Sequence, residues 1–461
     1  AYQSRGLGDV YKRQGSNNVF MGYQAGRGGT TSAPFSSGQN NVALGYQALD
    51  AFTTAGDSVA VGFNALGDLT TGTGNIAIGR DAGADITTGA YGIYIGHNAG
   101  GDNLLGNMNV FVGFEAGRSA ADSVAYSVAI GAYAGKNTAV NTNIAIGYQA
   151  AQTHTTGGKN IAIGYGAMND TDAGSTSLGS TENIFMGYDA GGGTWEDAAS
   201  SYNVGIGHYV MDSALDGATY NTAVGQAALS GLTTGDHNTT LGYKAGQNMT
   251  TGVYNVIIGS QAGDAASIGN YHVLIGAFAG SSINSGDADG TTAIGYQAGQ
   301  ILTSGIGSTA IGYQALFSAT ENDYNTAVGS RALYSISGSS GTQGEANTAI
   351  GYYAGYSNTT GNSNVFVGKQ AGFYNTTGVY NNFIGDQAGV NNTIASQNTY
   401  IGWYAAYYQQ VGGNNVAIGH QTLYGASGKA NSASENVAIG YQSDYGSDVG
   451  TGLTAVGSRA L

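Results

Sequence analysis

The sequence predicts an all-β protein, a parallel β-roll or β-solenoid of about 25 repeats with a usual period of 17 residues. A nine-residue motif, "NIAIGYQAA" at 143–151, returns 17 residues later as "NIAIGYGAM". Aligning the chain on the motif glycine gives 25 copies between Gly22 and Gly457. With 81 glycines and one proline in 461 residues, the composition favours short strands joined by tight turns. Repeats of one kind in this number are typical of solenoids, whose coils stack on their neighbours.

The residues before the motif glycine predict a short strand in each repeat. The residue just before the glycine is always aliphatic, and the residue three before it is nearly always Val, Ile or Thr. These two positions lie on one face of a strand, which we expect to be buried. The residue between them is usually Ala, such as Ala77, or aromatic in some copies, such as Phe111, and points to the opposite face. We expect a second chain to cover that opposite face.

The remaining positions predict turns and a ladder. The two residues after the glycine vary freely and are expected in solvent, whereas the Ala three after it is expected inside. The Asn four before the glycine is expected to stack on its equivalents as a side-chain amide ladder. Seven copies contain Thr-Thr-Gly, predicted to be a turn whose Gly has a positive φ: 70–72, 87–89, 155–157, 233–235, 250–252, 359–361 and 376–378.

Two stretches, "NTAVGQAAL" at 221–229 and "STAIGYQAL" at 308–316, carry a family resemblance. The pattern resembles the head repeats of YadA-like trimeric autotransporter adhesins and the repeats of phage tail fibres. The resemblance implies a left-handed β-roll, three identical chains around one axis, and an extracellular place on a virion tail fibre or a bacterial surface. The usual period is longer than the roughly 14–15 residues of the adhesin heads. The triple β-spiral of viral fibre shafts is the competing fold.

The chain is expected to divide into two parts. Residues 1–14, with Arg5, Lys12 and Arg13, fit no column of the repeat and are expected to be a non-native leader. Residues 15–461 are expected to be a single β-solenoid array, a fragment of a longer fibre.

Charge and composition exclude several function classes. The formal net charge of −15 disfavours nucleic-acid binding. No apolar run is long enough for a membrane span in this fragment. We expect no catalytic residue, cofactor site or metal site, because no such spacing appears among the scattered histidines and carboxylates. The expected function is therefore a non-enzymatic fibre or adhesin shaft. The alternatives are a β-solenoid carbohydrate-active enzyme, and an ice- or mineral-binding rod that uses the Thr-Thr-Gly rows.

Exposed aromatic side chains are the candidate receptor contacts. Many tyrosines follow the motif glycine, and insertions between repeats add further aromatic residues. Such side chains suit contacts with sugars or with partner proteins, so we expect a host-cell surface glycan or protein receptor here. The candidates are Phe35, Trp195, Tyr148, Tyr165, Tyr296 and Tyr313.

Overall fold

A computed structural model describes most of the chain: residues 15–28, 36–102, 105–119, 124–137, 143–154, 157–171, 179–195, 198–265, 269–284, 289–337, 343–425, 432–446 and 450–460. The chain divides into two compact units, Ala1–Asn221 and Thr222–Leu461, called unit 1 and unit 2 below. Both units carry the same repeat. The single array over 15–461 stays a prediction, and the expected leader, 1–14, lies outside the described residues.

Each repeat contributes one strand of three residues. Unit 1 contains β1 (Val19–Met21), β2 (Val42–Leu44), β3 (Val59–Val61), β4 (Ile76–Ile78), β5 (Ile93–Ile95), β6 (Val110–Val112), β7 (Val128–Ile130), β8 (Ile144–Ile146), β9 (Ile161–Ile163), β10 (Ile184–Met186) and β11 (Val204–Ile206). Unit 2 contains β12 (Thr222–Val224), β13 (Thr239–Leu241), β14 (Val256–Ile258), β15 (Val273–Ile275), β16 (Thr292–Ile294), β17 (Thr309–Ile311), β18 (Thr326–Val328), β19 (Thr348–Ile350), β20 (Val365–Val367), β21 (Asn382–Ile384), β22 (Thr399–Ile401), β23 (Val416–Ile418), β24 (Val437–Ile439) and β25 (Thr454–Val456).

Within each unit, consecutive strands pair in parallel and in register. Ala60 of β3 pairs with Ala77 of β4, and Ala310 of β17 pairs with Ala327 of β18. Because every residue pairs with its equivalent one repeat later, each column of the sequence becomes a row of like side chains. The predicted all-β parallel β-solenoid with a 17-residue period is therefore confirmed.

The orientation of the strands is the reverse of the one expected from the sequence. The middle residue is the buried one: Ala77 is 0% exposed, whereas its neighbours Ile76 and Ile78 are 36% and 41% exposed. The expectation that the aliphatic columns form the core was wrong. The expectation that a second chain covers the middle column was wrong too, because Phe111, Phe185 and their equivalents fill the interior of their own coil.

The middle residue of the strand and the residue four after the glycine share the space inside the coil. Where the middle residue is Ala, as in β2 and β3, the later position often holds a buried Leu, such as Leu49 or Leu66. Where the middle residue is Phe, the later position is Gly. A Cβ built on Gly117 would lie 2.6 Å from the ring of Phe111. In these copies a large residue at one position is matched by a small residue at the other, as close packing requires.

The motif glycines lie directly above one another. Gly147 has a φ of 136°, and a Cβ built on it would lie 2.2 Å from the carbonyl oxygen of Gly164 in the next coil. The same close approach recurs along both units. A side chain at this position is therefore excluded both by the backbone conformation and by the neighbouring coil.

The predicted asparagine ladder is confirmed. The side-chain oxygen of Asn160 accepts hydrogen bonds from the backbone N–H of Asn183 (2.9 Å) and from its side-chain amide (3.1 Å). Asn183 in turn accepts from Asn203, at 2.9 Å and 3.2 Å. All three side chains are at most 2% exposed. Their amide groups therefore satisfy backbone donors that would otherwise be buried without a partner.

The Thr-Thr-Gly turns differ from the prediction in one respect. Of the seven glycines, Gly157 alone has a positive φ, at 91°. The others are needed for close stacking instead, since a Cβ on Gly72 would lie 1.9 Å from the carbonyl oxygen of Gly89. The first threonine also binds the next coil: the Thr70 hydroxyl donates to the carbonyl oxygen of Thr87 at 2.9 Å.

His272 occupies an asparagine position of the ladder in unit 2. Its backbone N–H donates to the Asn255 side chain at 2.8 Å, but neither nitrogen of its buried ring has a hydrogen-bond partner. Burial lowers the pKa of His272 to about 4, although the carboxylate of Asp289 acts in the opposite direction. As the pH falls, His272 is therefore protonated near pH 6.5 in the unfolded chain, but only near pH 4 in the folded chain.

We expect His272 to have no effect on the free energy of unfolding of unit 2 above pH 6.5. As the pH is lowered from 6.5 to 4, protonation of His272 in the unfolded chain should reduce that free energy by about 3 kcal/mol. His272→Asn should remove most of this loss, since asparagine fits the ladder and does not titrate. Thermal unfolding across this pH range checks both expectations. His237→Asn, which replaces an exposed histidine of the same unit, is the control. An unchanged pH profile in His272→Asn would contradict the assignment.

Candidate functional site

The first and third residues of the strands form an exposed face, called the aliphatic face below. In unit 1 its members include Val42, Leu44, Ile130, Met186 and Ile206, each between 37% and 43% exposed. Unit 2 continues the same pattern with Ile350 and Ile384. Because the strands are in register, these side chains form two parallel rows in each unit. No strand of either unit has a charged residue at these positions. Both rows are therefore uncharged and apolar in unit 1, whereas in unit 2 the first position of the strand is most often Thr and only the third is aliphatic throughout.

The expected tyrosine contacts of unit 1 lie together beside this face. Tyr148, Tyr165 and Tyr188 are 41%, 47% and 39% exposed and stack on one another. Their ring centroids are 5.1 Å and 5.0 Å apart, with interplanar angles of 22° and 7°. Each ring covers the face of the next, so the stack presents ring edges and hydroxyl groups outward. This arrangement suits hydrogen bonding better than it suits stacking against a sugar ring.

Tyr296 and Tyr313 form a similar pair in unit 2. Their rings stack at 5.7 Å with an interplanar angle of 12°, and both are about half exposed, at 43% and 45%. The guanidinium group of Arg331 lies 5.5 Å from the centre of the Tyr313 ring. The same group donates a hydrogen bond to the Gln314 side chain at 2.9 Å. Arg331 therefore packs against the Tyr313 end of this pair.

The two candidates from the insertions have different outcomes. Trp195 was expected to be an exposed receptor contact, and this was wrong: its side chain is 0% exposed and packs edge-on against the Phe185 ring at 5.9 Å. A large aromatic ring gains more by burial in the core than by exposure to water. Phe35 lies outside the described residues.

The sequence analysis missed a second aromatic column, five residues after the motif glycine in unit 2. The rings of Phe317, Tyr334, Tyr356 and Phe373 stack at 5.0–5.1 Å, with interplanar angles of 3–13°. Tyr407, Tyr424 and Tyr445 form another stack in the same column. Spacing alone could have revealed it, because these residues all keep the same distance from a glycine of the motif.

One pair of carboxyl groups in unit 1 has altered acidity. Burial raises the pKa of Asp212 to about 6, and the charge of Asp189 adds to this rise. Burial raises the pKa of Asp189 as well. Paired carboxyl groups of this kind occur in acid–base catalysis but also in purely structural positions. The described residues contain no group of three or more His, Asp or Glu side chains placed to hold a metal ion.

The chain was compared with protein-family models, with curated proteins and with solved structures. None of these comparisons found a match. The parallel β-solenoid stands on the structure alone, and the likeness to YadA-like heads and tail-fibre repeats rests on the motif residues alone. Among the described residues, no helix is long and apolar enough to cross a bilayer.

Proposed function

We propose that the protein is the non-enzymatic shaft of an extracellular fibre, in which three identical chains assemble and present side chains for attachment to a cell surface. The aliphatic face is the observation that carries this proposal. A soluble monomer exposes apolar patches of at most a few hundred Å², and larger patches usually mark an interface.

The size of the aliphatic face supports assembly. Each coil of unit 1 has two partly exposed aliphatic side chains, and nine of these 22 are 36–65% exposed. Together they leave on the order of 1,000 Å² of apolar surface over the eleven strands. Stable interfaces bury roughly 800 Å² on each partner. The face is therefore large enough to form a stable interface.

A second copy of the same chain is the partner that fits the face best. Its rows have the same spacing, roughly 4.8 Å from coil to coil, so rows from two copies interlock along their whole length. The absence of charge on the strands removes any like-charge repulsion between copies. The number three comes from the resemblance to the two fibre families.

The attachment role rests on the exposed aromatic columns. Tyr148 and Tyr165 lie on the stacked coils of unit 1, and Tyr296 and Tyr313 lie on those of unit 2. Within each unit, a regular array of weak contacts can act together on a repetitive surface. The receptor is a host-cell surface glycan or protein, and the fibre belongs to a virion or to a bacterial surface.

Both alternatives have less support. A carbohydrate-active enzyme would need clustered carboxyl groups, and Asp212 with Asp189, or Asp85 with its neighbours Asp68, Asp81 and Asp102, would have to supply them. Burial is the main cause of the raised pKa of both Asp212 and Asp85, which fits a structural position as well as a catalytic one. An ice-binding rod built on the Thr-Thr-Gly rows would need free hydroxyl groups, but the first threonine binds the next coil, as Thr70 and Thr233 do.

Charging the aliphatic face should separate the chains without unfolding them. The variant Ile78→Lys, Ile95→Lys, Val112→Lys places three like charges in one row of consecutive coils, on β4, β5 and β6. We expect the wild type to sediment as a trimer and the variant to sediment as a monomer with unchanged circular dichroism.

The control carries the same charges on another side of the same coils. Tyr91, Met108 and Tyr126 are 61%, 50% and 59% exposed, and their replacement by lysine should leave the trimer intact. A wild type that is monomeric at micromolar concentration contradicts the assembly. Equal dissociation of both variants would contradict the assignment of the aliphatic face.

A further inference from the structure

Two similar aromatic clusters lie on unit 2, three coils apart. The first follows β19 and is built around Tyr352, Tyr353 and Tyr356. The second follows β22 and is built around Trp403, Tyr404 and Tyr407. In each cluster the residue two after the glycine is Tyr, where Gln is the most frequent residue of the other copies, and its ring touches the other two. At roughly 4.8 Å per coil the cluster centres are about 14 Å apart.

Some rings of these clusters are turned across the aromatic stacks and keep uncovered faces. Tyr352 is 50% exposed and meets Tyr353 at 86°. Tyr374, also 50% exposed, meets Phe373 at 76°. Trp403 is 47% exposed and is tilted by 49° from the Tyr404 ring and by 51° from the His420 ring, so neither ring lies flat on it. Unlike Tyr165 of unit 1, which stacks on both neighbours, these rings have no parallel neighbour among the described residues. A flat ligand can therefore lie against them.

Polar, nearly neutral groups fill the space between the two clusters. Gln370 and Gln387 follow β20 and β21, and their amide groups bond to each other at 3.0 Å. Beside them lie Lys369 and Asp386, whose charges cancel. One carboxylate oxygen of Asp386 is buried and has no hydrogen-bond partner. The surface thus offers aromatic rings at both ends, with amide groups between them.

We propose that this surface, from Tyr352 to Trp403, binds a linear neutral polysaccharide. A sugar ring has an apolar face, which packs on an aromatic ring, and a rim of hydroxyl groups, which bond to amides and carboxylates. The repetition of the cluster along the stack of coils matches a polymer with repeated units. The net charge of −15 disfavours a polyanion. The inference deepens the attachment role proposed above and rests on it.

The test measures binding of soluble β-glucan, mannan and galactan to the full chain by affinity electrophoresis, with the acidic polymer alginate for comparison. We expect retardation by at least one neutral polymer and none by alginate. Trp403→Ala and Tyr352→Ala should each weaken binding about tenfold, and the double variant should abolish it. Oligosaccharides too short to span about 14 Å should bind to a single cluster only, and therefore weakly.

The control is the pair Tyr243→Ala and Tyr254→Ala. These tyrosines are 44% and 52% exposed on the same unit but lie away from the clusters, so binding should be unchanged. Absence of retardation by all three neutral polymers overturns the inference, and so does equal loss in the control. Attachment of the same variants to cells separates the two proposals. If the cluster variants lose polysaccharide binding but still attach to cells, the attachment role of this surface is contradicted. If the wild type attaches to cells but binds none of the polysaccharides, only the present inference is contradicted.

Discussion

Replacing Gly147 by valine is expected to destroy the stacking of the coils on either side of it. The new Cβ would lie 2.2 Å from the carbonyl oxygen of Gly164, and a φ of 136° is a conformation that valine does not adopt. The neighbouring atom is backbone held by the strand ladder, so it cannot move away without breaking hydrogen bonds. We expect a loss of more than about 4 kcal/mol in the free energy of unfolding of unit 1.

Thermal and chemical unfolding measure this loss, and the chain offers a matched control. Gly446 is exposed, and a Cβ built on it meets no atom within 4 Å. Gly446→Val should therefore melt like the wild type. If Gly147→Val melted like the control, the glycine column would not be in close contact between coils.

Replacing Ala145 by aspartate is expected to have the second largest effect. Ala145 is the middle residue of β8 and is 2% exposed, between Ala129 and Ala162 of the adjacent strands. An aspartate here puts an unpaired carboxylate into a space that holds only a methyl group. The cost of burying that charge adds to the cost of overpacking, and we expect a loss of about 3–5 kcal/mol.

The adjacent residue provides the comparison that tests the orientation of the strand. Ile146 is only half-buried on the aliphatic face, so the carboxylate of Ile146→Asp reaches water in a single chain. This variant should change the stability of the monomer by less than about 1 kcal/mol and should weaken assembly instead. Unfolding by circular dichroism and sedimentation velocity distinguish the two effects. If Ile146→Asp destabilised the protein as much as Ala145→Asp, the aliphatic column would have to lie in the core, and the strand orientation seen in the structure would be contradicted.

Part of the candidate site could be predicted from the sequence and part could not. The exposure of Tyr148, Tyr165, Tyr296 and Tyr313 follows from the variability of their column, because a position that also accepts Lys369 or Arg80 must reach solvent. Their stacking, which hides the ring faces, depends on coil spacing and rotamer and is visible only in the structure. Trp195 looked accessible because it lies in an insertion, yet a contact with Phe185 buries it.

The repeat by itself determined the parallel strands, their register, the glycine column and the asparagine ladder. Each of these follows from placing identical residues above one another: Asn183 can bond to Asn160 only if the coils are in register. The tertiary structure alone decided which face of the strand lies inside. Both faces are apolar, so hydrophobicity could not distinguish Ala77 from Ile78. Which face is buried depends on the volume inside the coil. A short coil has room for a small middle residue, or for a large middle residue if a glycine lies opposite it, as Gly117 lies opposite Phe111. The bulkier Ile and Val side chains are left outside, where they form the aliphatic face.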